Sequence, residues 1–186
     1  MLILAHTGIA LGAATVIAGA VNNRRGKVSW LASLSKYLDI RFLLAGSLLP
    51  DIIDKSVGQY LFRETFNNGR IFSHTLLFFL LLSAIGFILY KTRRQVWMLS
   101  LAAGTLAHLV LDGMWGVPAT LFWPFMGFAF NSVELTGWAS GMLEAVVSDP
   151  FIYIPEIIGL VILLWFGVTV IRRKQVSSFI KHGRVY

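Results

Sequence analysis

Histidine and aspartate side chains recur at the ends of the hydrophobic segments of this 186-residue chain. Imidazole and carboxylate groups are ligands for zinc, manganese and iron, and the chain has no cysteine that could add a thiolate. Six such residues fall near the ends of four segments: His6, Asp51, Asp54, His74, His108 and Asp112. They are the predicted ligands of a divalent metal ion, with zinc expected and manganese or iron as alternatives.

The most informative pair in this set is His108 and Asp112, which lie four residues apart and so share one face of a helix. A carboxylate one turn from an imidazole in an apolar segment needs a cation or a donor, because a charge inside a membrane is costly. Other members allow simpler roles: His6 could bond to a backbone carbonyl, and Asp51, after Pro50, could cap a helix. Their convergence at one membrane depth favours a shared metal site.

Such a site predicts metal-assisted hydrolysis. A divalent ion with one open position would activate a bound water and polarise an ester or phosphoryl oxygen, and six potential ligands also leave room for two ions. A carboxylate outside the ligand set, Asp54 or Glu134, could serve as the general base, and the sequence leaves both open. Arg70 could hold a phosphate or pair with Glu134. Ser73, beside His74, keeps a serine nucleophile as an alternative.

The segments that carry these residues are long and apolar enough to cross a membrane as helices. The chain is 56% hydrophobic and 13% charged, about half the charged share of a soluble domain. The predicted spans cover about residues 2–21, 30–50, 71–90, 96–115 and 151–171, the second starting as an interfacial helix. The fold prediction is an all-α, multi-pass bundle of about five spans. It forms a single domain over residues 1–186, with a short basic cytoplasmic tail from about residue 172.

Basic residues lie mostly on one side of this five-span arrangement. They connect the third span to the fourth and follow the fifth, whereas only Lys55, Arg63 and Arg70 fall on the other side. The positive-inside rule makes the basic side cytoplasmic, which puts the N-terminus and the His/Asp set outside. The formal charge of +7 then reflects topology and attraction to lipid headgroups rather than a nucleic-acid partner. Membrane lipids are the predicted partners, and protein partners stay unknown.

An aromatic, glycine-containing stretch lies between the fourth and fifth spans. Its core, residues 121–130, is interrupted by Pro124 and Gly127 and is too short to cross a membrane. We expect an interfacial or re-entrant segment, with Trp115, Trp123 and Trp138 at headgroup level. This segment could form a lid or lipid-access groove beside the metal, or a plain aromatic belt.

Five motifs follow one another over about residues 5–125: AHTGIA at 5–10, GSLLPDIIDK at 46–55, RIFSHT at 70–75, GTLAHLVLD at 104–112 and WPF at 123–125. In order and spacing they resemble the membrane-bound metal-dependent hydrolases of the LexA-regulated inner-membrane type. The resemblance implies metal-dependent hydrolysis, with His6, Asp51, His74, His108 and Asp112 as functional residues. Two family histidines are replaced, by Asp54 and by Gly69, which leaves fewer imidazoles for a second metal.

The functional prediction is a membrane-bound, metal-dependent hydrolase acting at the outer face. Its substrate would carry an ester or phosphoester bond in a lipid or lipid-linked molecule, because the site lies at headgroup depth; a small soluble substrate is the alternative. The rival hypothesis is a non-enzymatic protein whose His/Asp cluster binds or transports ions or holds a structural metal. Polar groups are sparse in the inner halves of the spans (Thr15, Ser83 and Ser100), which argues against a conducting path.

Overall fold

A computed structural model gives the fold and describes residues 2–22, 29–130 and 146–186. The helices are α1 (Ile3–Asn22), α2 (Trp30–Tyr37), α3 (Ile40–Lys55), α4 (Leu76–Arg93), α5 (Trp97–Leu111), α6 (Pro118–Leu121), α7 (Pro150–Arg172) and α8 (Val176–His182). A π-helical turn, Ser56–Leu61, continues α3, and a 3-10 turn, Met114–Gly116, follows α5. The predicted all-α fold is confirmed.

Among the described residues, three helices are long and apolar enough to cross a membrane: α1, α4 and α7. The apolar helix α5 has 15 residues, about 22 Å, and is shorter than the hydrocarbon core of about 30 Å. The 16 residues of α3 end in Asp51, Asp54 and Lys55, so its apolar part is shorter still. These two short helices pack on each other, with α1 contacting both and α4 contacting α5, while α7 packs along α1. A multi-pass helical membrane bundle is therefore confirmed.

One end of this bundle carries most of the predicted metal ligands. It contains the N-termini of α1, α4 and α7 and the C-termini of α3 and α5, and we call it the site end. The opposite end contains α2 and α8, and we call it the tail end. Which of the two faces the cytoplasm stays a prediction.

The helix boundaries differ from the predicted spans in two places. Helix α4 begins at Leu76, five residues after the predicted start at residue 71, because residues before it donate their N–H groups to Asp54 instead of a helix ladder. The second predicted span divides between α2 and α3, where the Asp39 side chain accepts from the N–H of Arg41 and caps α3. The start of α7 is as predicted: Asp149 caps it by accepting from Phe151, 2.9 Å away.

Glycines allow two pairs of helices to approach closely. A Cβ at Gly46 would overlap the carbonyl of Leu101, and one at Gly104 would overlap α3, so α3 and α5 meet backbone to backbone. Gly8 and Gly159 do the same for α1 and α7. Small residues at such crossings are typical of membrane helices, which associate through close van der Waals packing.

The segment that follows α7, residues 173–186, packs onto the tail end. The N–H of Ile40 donates to the Gly183 carbonyl at 2.9 Å, and the N–H of Val185 donates to Ser35 Oγ at 2.8 Å. The Val185 side chain is fully buried in the core cluster with Leu34. The segment predicted as a basic tail is therefore an ordered part of the bundle.

Candidate metal centre

Four predicted ligands converge at the site end: Asp51, His74, His108 and Asp112. One ligand atom from each lies within 4.8 Å of the other three. The Nε2 atoms of His74 and His108 are 3.1 Å apart, and His74 Nε2 lies 3.7 Å from Asp51 Oδ1 and 3.8 Å from Asp112 Oδ2. Ligand atoms around a tetrahedral zinc, each about 2 Å from the ion, lie about 3.3 Å apart. The spacing therefore fits a single divalent ion.

Three separate elements bring these side chains together. Asp51 lies in the last turns of α3, and His74 lies in the loop that precedes α4. His108 lies in the last turn of α5, and Asp112 follows that helix directly. Close packing of α3 against α5 sets the distance between Asp51 and the α5 pair, so the site depends on the glycine crossing.

Hydrogen bonds fix which nitrogen of each histidine faces the cluster. His108 Nδ1 lies 2.7 Å from the Ser47 carbonyl, which only accepts, so Nδ1 carries the proton and a neutral ring keeps its lone pair on Nε2. His74 Nδ1 donates to Asp54 Oδ2 at 2.7 Å, with the same consequence. Two lone pairs then face each other beside two carboxylates. A cation satisfies all four acceptors at once, and a carboxylate or carbonyl behind the histidine is the usual arrangement in metal sites.

Asp54 lies behind His74 and outside the four-ligand group. Its carboxylate is fully buried and accepts from the backbone N–H groups of Ile71, Ser73 and His74 as well as from the His74 ring. The predicted roles of metal ligand and general base both require an oxygen that faces the site. Because both oxygens are occupied, this placement supports a different role, that of orienting His74.

His6 contacts the site through Asp112. Its Nδ1 lies 2.7 Å from the Leu2 carbonyl, and its Nε2 lies 3.0 Å from Asp112 Oδ1. Nδ1–H donates to the carbonyl, so the contact of Nε2 with Asp112 requires either a second proton on the ring or a cation at Nε2. His6 therefore holds the Asp112 oxygen that faces away from the other histidines. A second metal ion stays a prediction.

Two cations lie on the accessible side of the centre. Arg70 Nη2 lies 2.8 Å from Asp112 Oδ2, and Lys55 Nζ lies 2.7 Å from Asp51 Oδ2. Both histidines are fully buried, whereas the Asp51 side chain is 19% exposed and the Lys55 and Arg70 side chains are 35% and 42% exposed. Ligands would therefore reach the centre past Asp51 and the two cations. Glu134, the other predicted general base and predicted partner of Arg70, lies outside the described residues.

The sequence profile of one family, described as YdjM inner membrane protein, matches residues 1–177. The chain belongs to the YdjM inner membrane protein family. Location in a membrane and the expected likeness to an inner-membrane family are thereby confirmed, whereas the match states no activity. No curated protein and no solved structure matches the chain significantly.

Aromatic residues pack beside the metal centre of this YdjM-family protein. Rings of Phe72 and Trp123 lie 5.3 Å apart, those of Phe72 and Phe130 lie 5.2 Å apart, and Phe66 joins them. Because Phe72 is two residues before His74, the described part of the predicted interfacial segment contacts the loop that carries a ligand. Trp138 lies outside the described residues.

Glu156, which the sequence analysis did not select, positions the first helix of this YdjM-family protein. Its carboxylate accepts from the N–H groups of Leu2, Leu4 and Ala5, at 2.6, 3.1 and 3.2 Å. This contact caps α1 immediately before His6. The available signal was a lone carboxylate within a long apolar span, which is costly and therefore usually has a specific partner.

Proposed function

We propose that the protein is a membrane-bound, metal-dependent hydrolase that cleaves an ester or phosphoester bond of a lipid or lipid-linked substrate at the outer face of the membrane. The observation that carries the proposal is the convergence of Asp51, His74, His108 and Asp112, with both Nε2 lone pairs directed into the cluster. Imidazole and carboxylate ligands without thiolate suit zinc first, then manganese or iron.

A divalent ion bound there would supply an activated water as nucleophile and polarise the bond that is cleaved. The chain's own groups would orient the ligands and neutralise the charge of the substrate. Asp54 and the Ser47 carbonyl hold the two imidazoles in one orientation, which spares reorganisation during the reaction. Lys55 and Arg70 provide positive charge on the accessible side, which favours an anionic phosphoester over a neutral ester.

The proposal of ion transport has less support. Polar side chains nearer the tail end are engaged in local hydrogen bonds: Thr15 Oγ1 donates to the Leu11 carbonyl at 2.7 Å, and Ser100 Oγ donates to the Val96 carbonyl at 3.0 Å. Ser100 Oγ also accepts from the N–H of Asp39 at 2.9 Å. These hydroxyl groups are therefore engaged within the bundle, and the cluster is a site at one end of it.

The first test measures bound metal. The wild type, His74→Ala and Asp112→Ala would be purified in mild detergent and examined by elemental mass spectrometry, with His182→Ala in α8 as the matched control. We expect about one or two equivalents of metal in the wild type and in the control, and a loss in both site variants, since each removes a ligand.

Hydrolysis of lipid phosphates and phospholipids would then be measured on the same samples. Folded variants that have lost both metal and hydrolysis support catalysis, whereas variants that unfold on losing the metal support a structural metal. Absence of stoichiometric metal from the wild type, even after supplementation, would overturn the hydrolase proposal.

A further inference from the structure

An apolar groove runs along the bundle between α1 and α5. Its volume is about 520 Å³, within the range of about 300–1,000 Å³ that is typical of small-molecule sites. Leu38, at the end of α2, and Leu43 on α3 also line it, and Ile17 and Val110 on its two walls are more than half exposed. The groove is therefore open along its length to the lipid that surrounds these membrane helices.

One end of the groove lies next to the metal centre. Ile9 on α1 is one turn from His6, and Leu111 on α5 directly precedes Asp112. The groove extends away from the site end as far as Ile17. On α1 the lining residues run from Ile9 to Ile17, about 12 Å of helix at about 1.5 Å per residue, which is most of the depth of one leaflet of about 15 Å.

The lining of the groove selects for hydrocarbon. Its residues are all aliphatic, and small side chains stand where larger ones would fill the space: Ala10, Ala13, Ala14, Ala103 and Ala107. A ligand with polar groups along this length would lose the hydrogen bonds that those groups make to water, and the groove offers none in their place. Each such loss costs free energy, whereas a saturated hydrocarbon chain has no hydrogen bonds to lose. At the site end, Lys55 and Arg70 supply positive charge.

We propose that this groove binds one acyl chain of a long-chain lipid phosphate whose headgroup reaches the metal centre. Three observations carry the proposal: the groove is apolar throughout, it covers most of the depth of one leaflet, and its site end lies beside a cluster with two accessible cations. This proposal extends the proposed function by naming a lipid substrate. Cleavage at the headgroup rests on that proposed function. Binding of the chain itself does not require turnover.

The test is photolabelling of the full-length protein with phosphatidic acid that carries a diazirine in its acyl chain. We expect adducts concentrated on the α1 and α5 residues that line the groove, mapped by peptide mass spectrometry. Ala13→Phe and Ala107→Phe fill the groove from opposite walls and should each lower this labelling about tenfold, which corresponds to about 1.4 kcal/mol. Ala20→Phe, at an exposed α1 position outside the groove, is the matched control and should label like the wild type.

A competition on the wild type needs no substitution. Excess unlabelled long-chain phosphatidic acid should remove the groove adducts, and glycerol phosphate should leave them. Adducts spread evenly over α4 and α7 would show bulk lipid only and overturn the proposal, as would unchanged labelling in both folded Phe variants. If labelling is confined to the groove but wild-type protein binds no metal, the hydrolase proposal fails and the acyl-chain site stands.

Discussion

Asp51 and Asp54 are two carboxylates in the last turns of α3 with different surroundings. The Asp51 side chain is partly exposed, and its hydrogen bond is to Lys55, four residues along the helix. Asp54 is fully buried and gathers the backbone N–H groups that shape the loop before α4. Asp51 therefore faces the His/Asp cluster, while Asp54 builds the loop that presents His74 to that cluster.

The substitution Asp54→Asn should damage both the fold and the site. An amide cannot accept from all these N–H groups and the His74 ring, so we expect the free energy of unfolding to fall by about 3 kcal/mol. Metal affinity should fall about 10–100-fold, because the imidazole loses the carboxylate that orients it. Denaturation with a chelator present and metal titration of the native protein measure the two effects separately.

Asp51→Asn is the matched control. It removes a ligand oxygen, so metal affinity should again fall, but the metal-free stability should change by less than about 1 kcal/mol, since its partner is an exposed lysine. Equal losses of metal-free stability in the two variants would contradict the division of roles. The sequence placed both aspartates at the site, yet it could not separate them, because the partners of Asp54 lie 17 to 20 residues further along the chain.

At the scale of elements, the packing of α3 on α5 positions the site. A Cβ at Gly104 would overlap the Leu43 carbonyl and lie close to the N–H of Ser47, the residue whose carbonyl binds His108. Gly104 is one helical turn from His108, so a shift of α5 at this crossing moves the imidazole as well.

Gly104→Ala should therefore lower stability and metal affinity together. We expect a loss of about 1–3 kcal/mol from overpacking, and weaker metal binding as His108 moves from Ser47. Gly167→Ala on α7 is the control, because its Cβ would meet nothing within 4 Å; helix propensity predicts a gain of up to about 1 kcal/mol there. Thermal unfolding in detergent and metal titration measure both. If Gly104→Ala changed neither the stability nor the metal affinity, the two helices could separate without disturbing the site.

Local sequence signals predicted the elements that local contacts determine. The predicted start of the last span, at about residue 151, agrees with the start of α7 at Pro150, because the Asp149 cap and the first-turn proline act within a few residues. The start of α4 was placed too early, because hydrophobicity continues through Ile71 while the distant Asp54 takes the backbone N–H groups. Likewise, nothing in the composition of the basic C-terminal residues indicated that Val185 is buried against α2.

At the scale of the whole molecule, polar groups separate between the two ends of the bundle. The site end gathers the four side chains of the His/Asp cluster together with His6 and Glu156, whereas the tail end carries the ordered basic segment. The positive-inside rule assigns the tail end to the cytoplasm, and the hydrolase proposal depends on that assignment for the leaflet that supplies its substrate.

Because the chain contains no cysteine, single cysteines can report this orientation directly. Glu64→Cys lies in the exposed loop at the site end, and Gln95→Cys lies in the exposed turn between α4 and α5 at the other end. In intact spheroplasts, a membrane-impermeant maleimide should label Glu64→Cys and should label Gln95→Cys only after permeabilisation. The reverse pattern would place the metal centre at the cytoplasmic face. The acyl-chain groove would then open to the inner leaflet. The lipid substrate would come from that leaflet, and its proposed chemistry would stay the same.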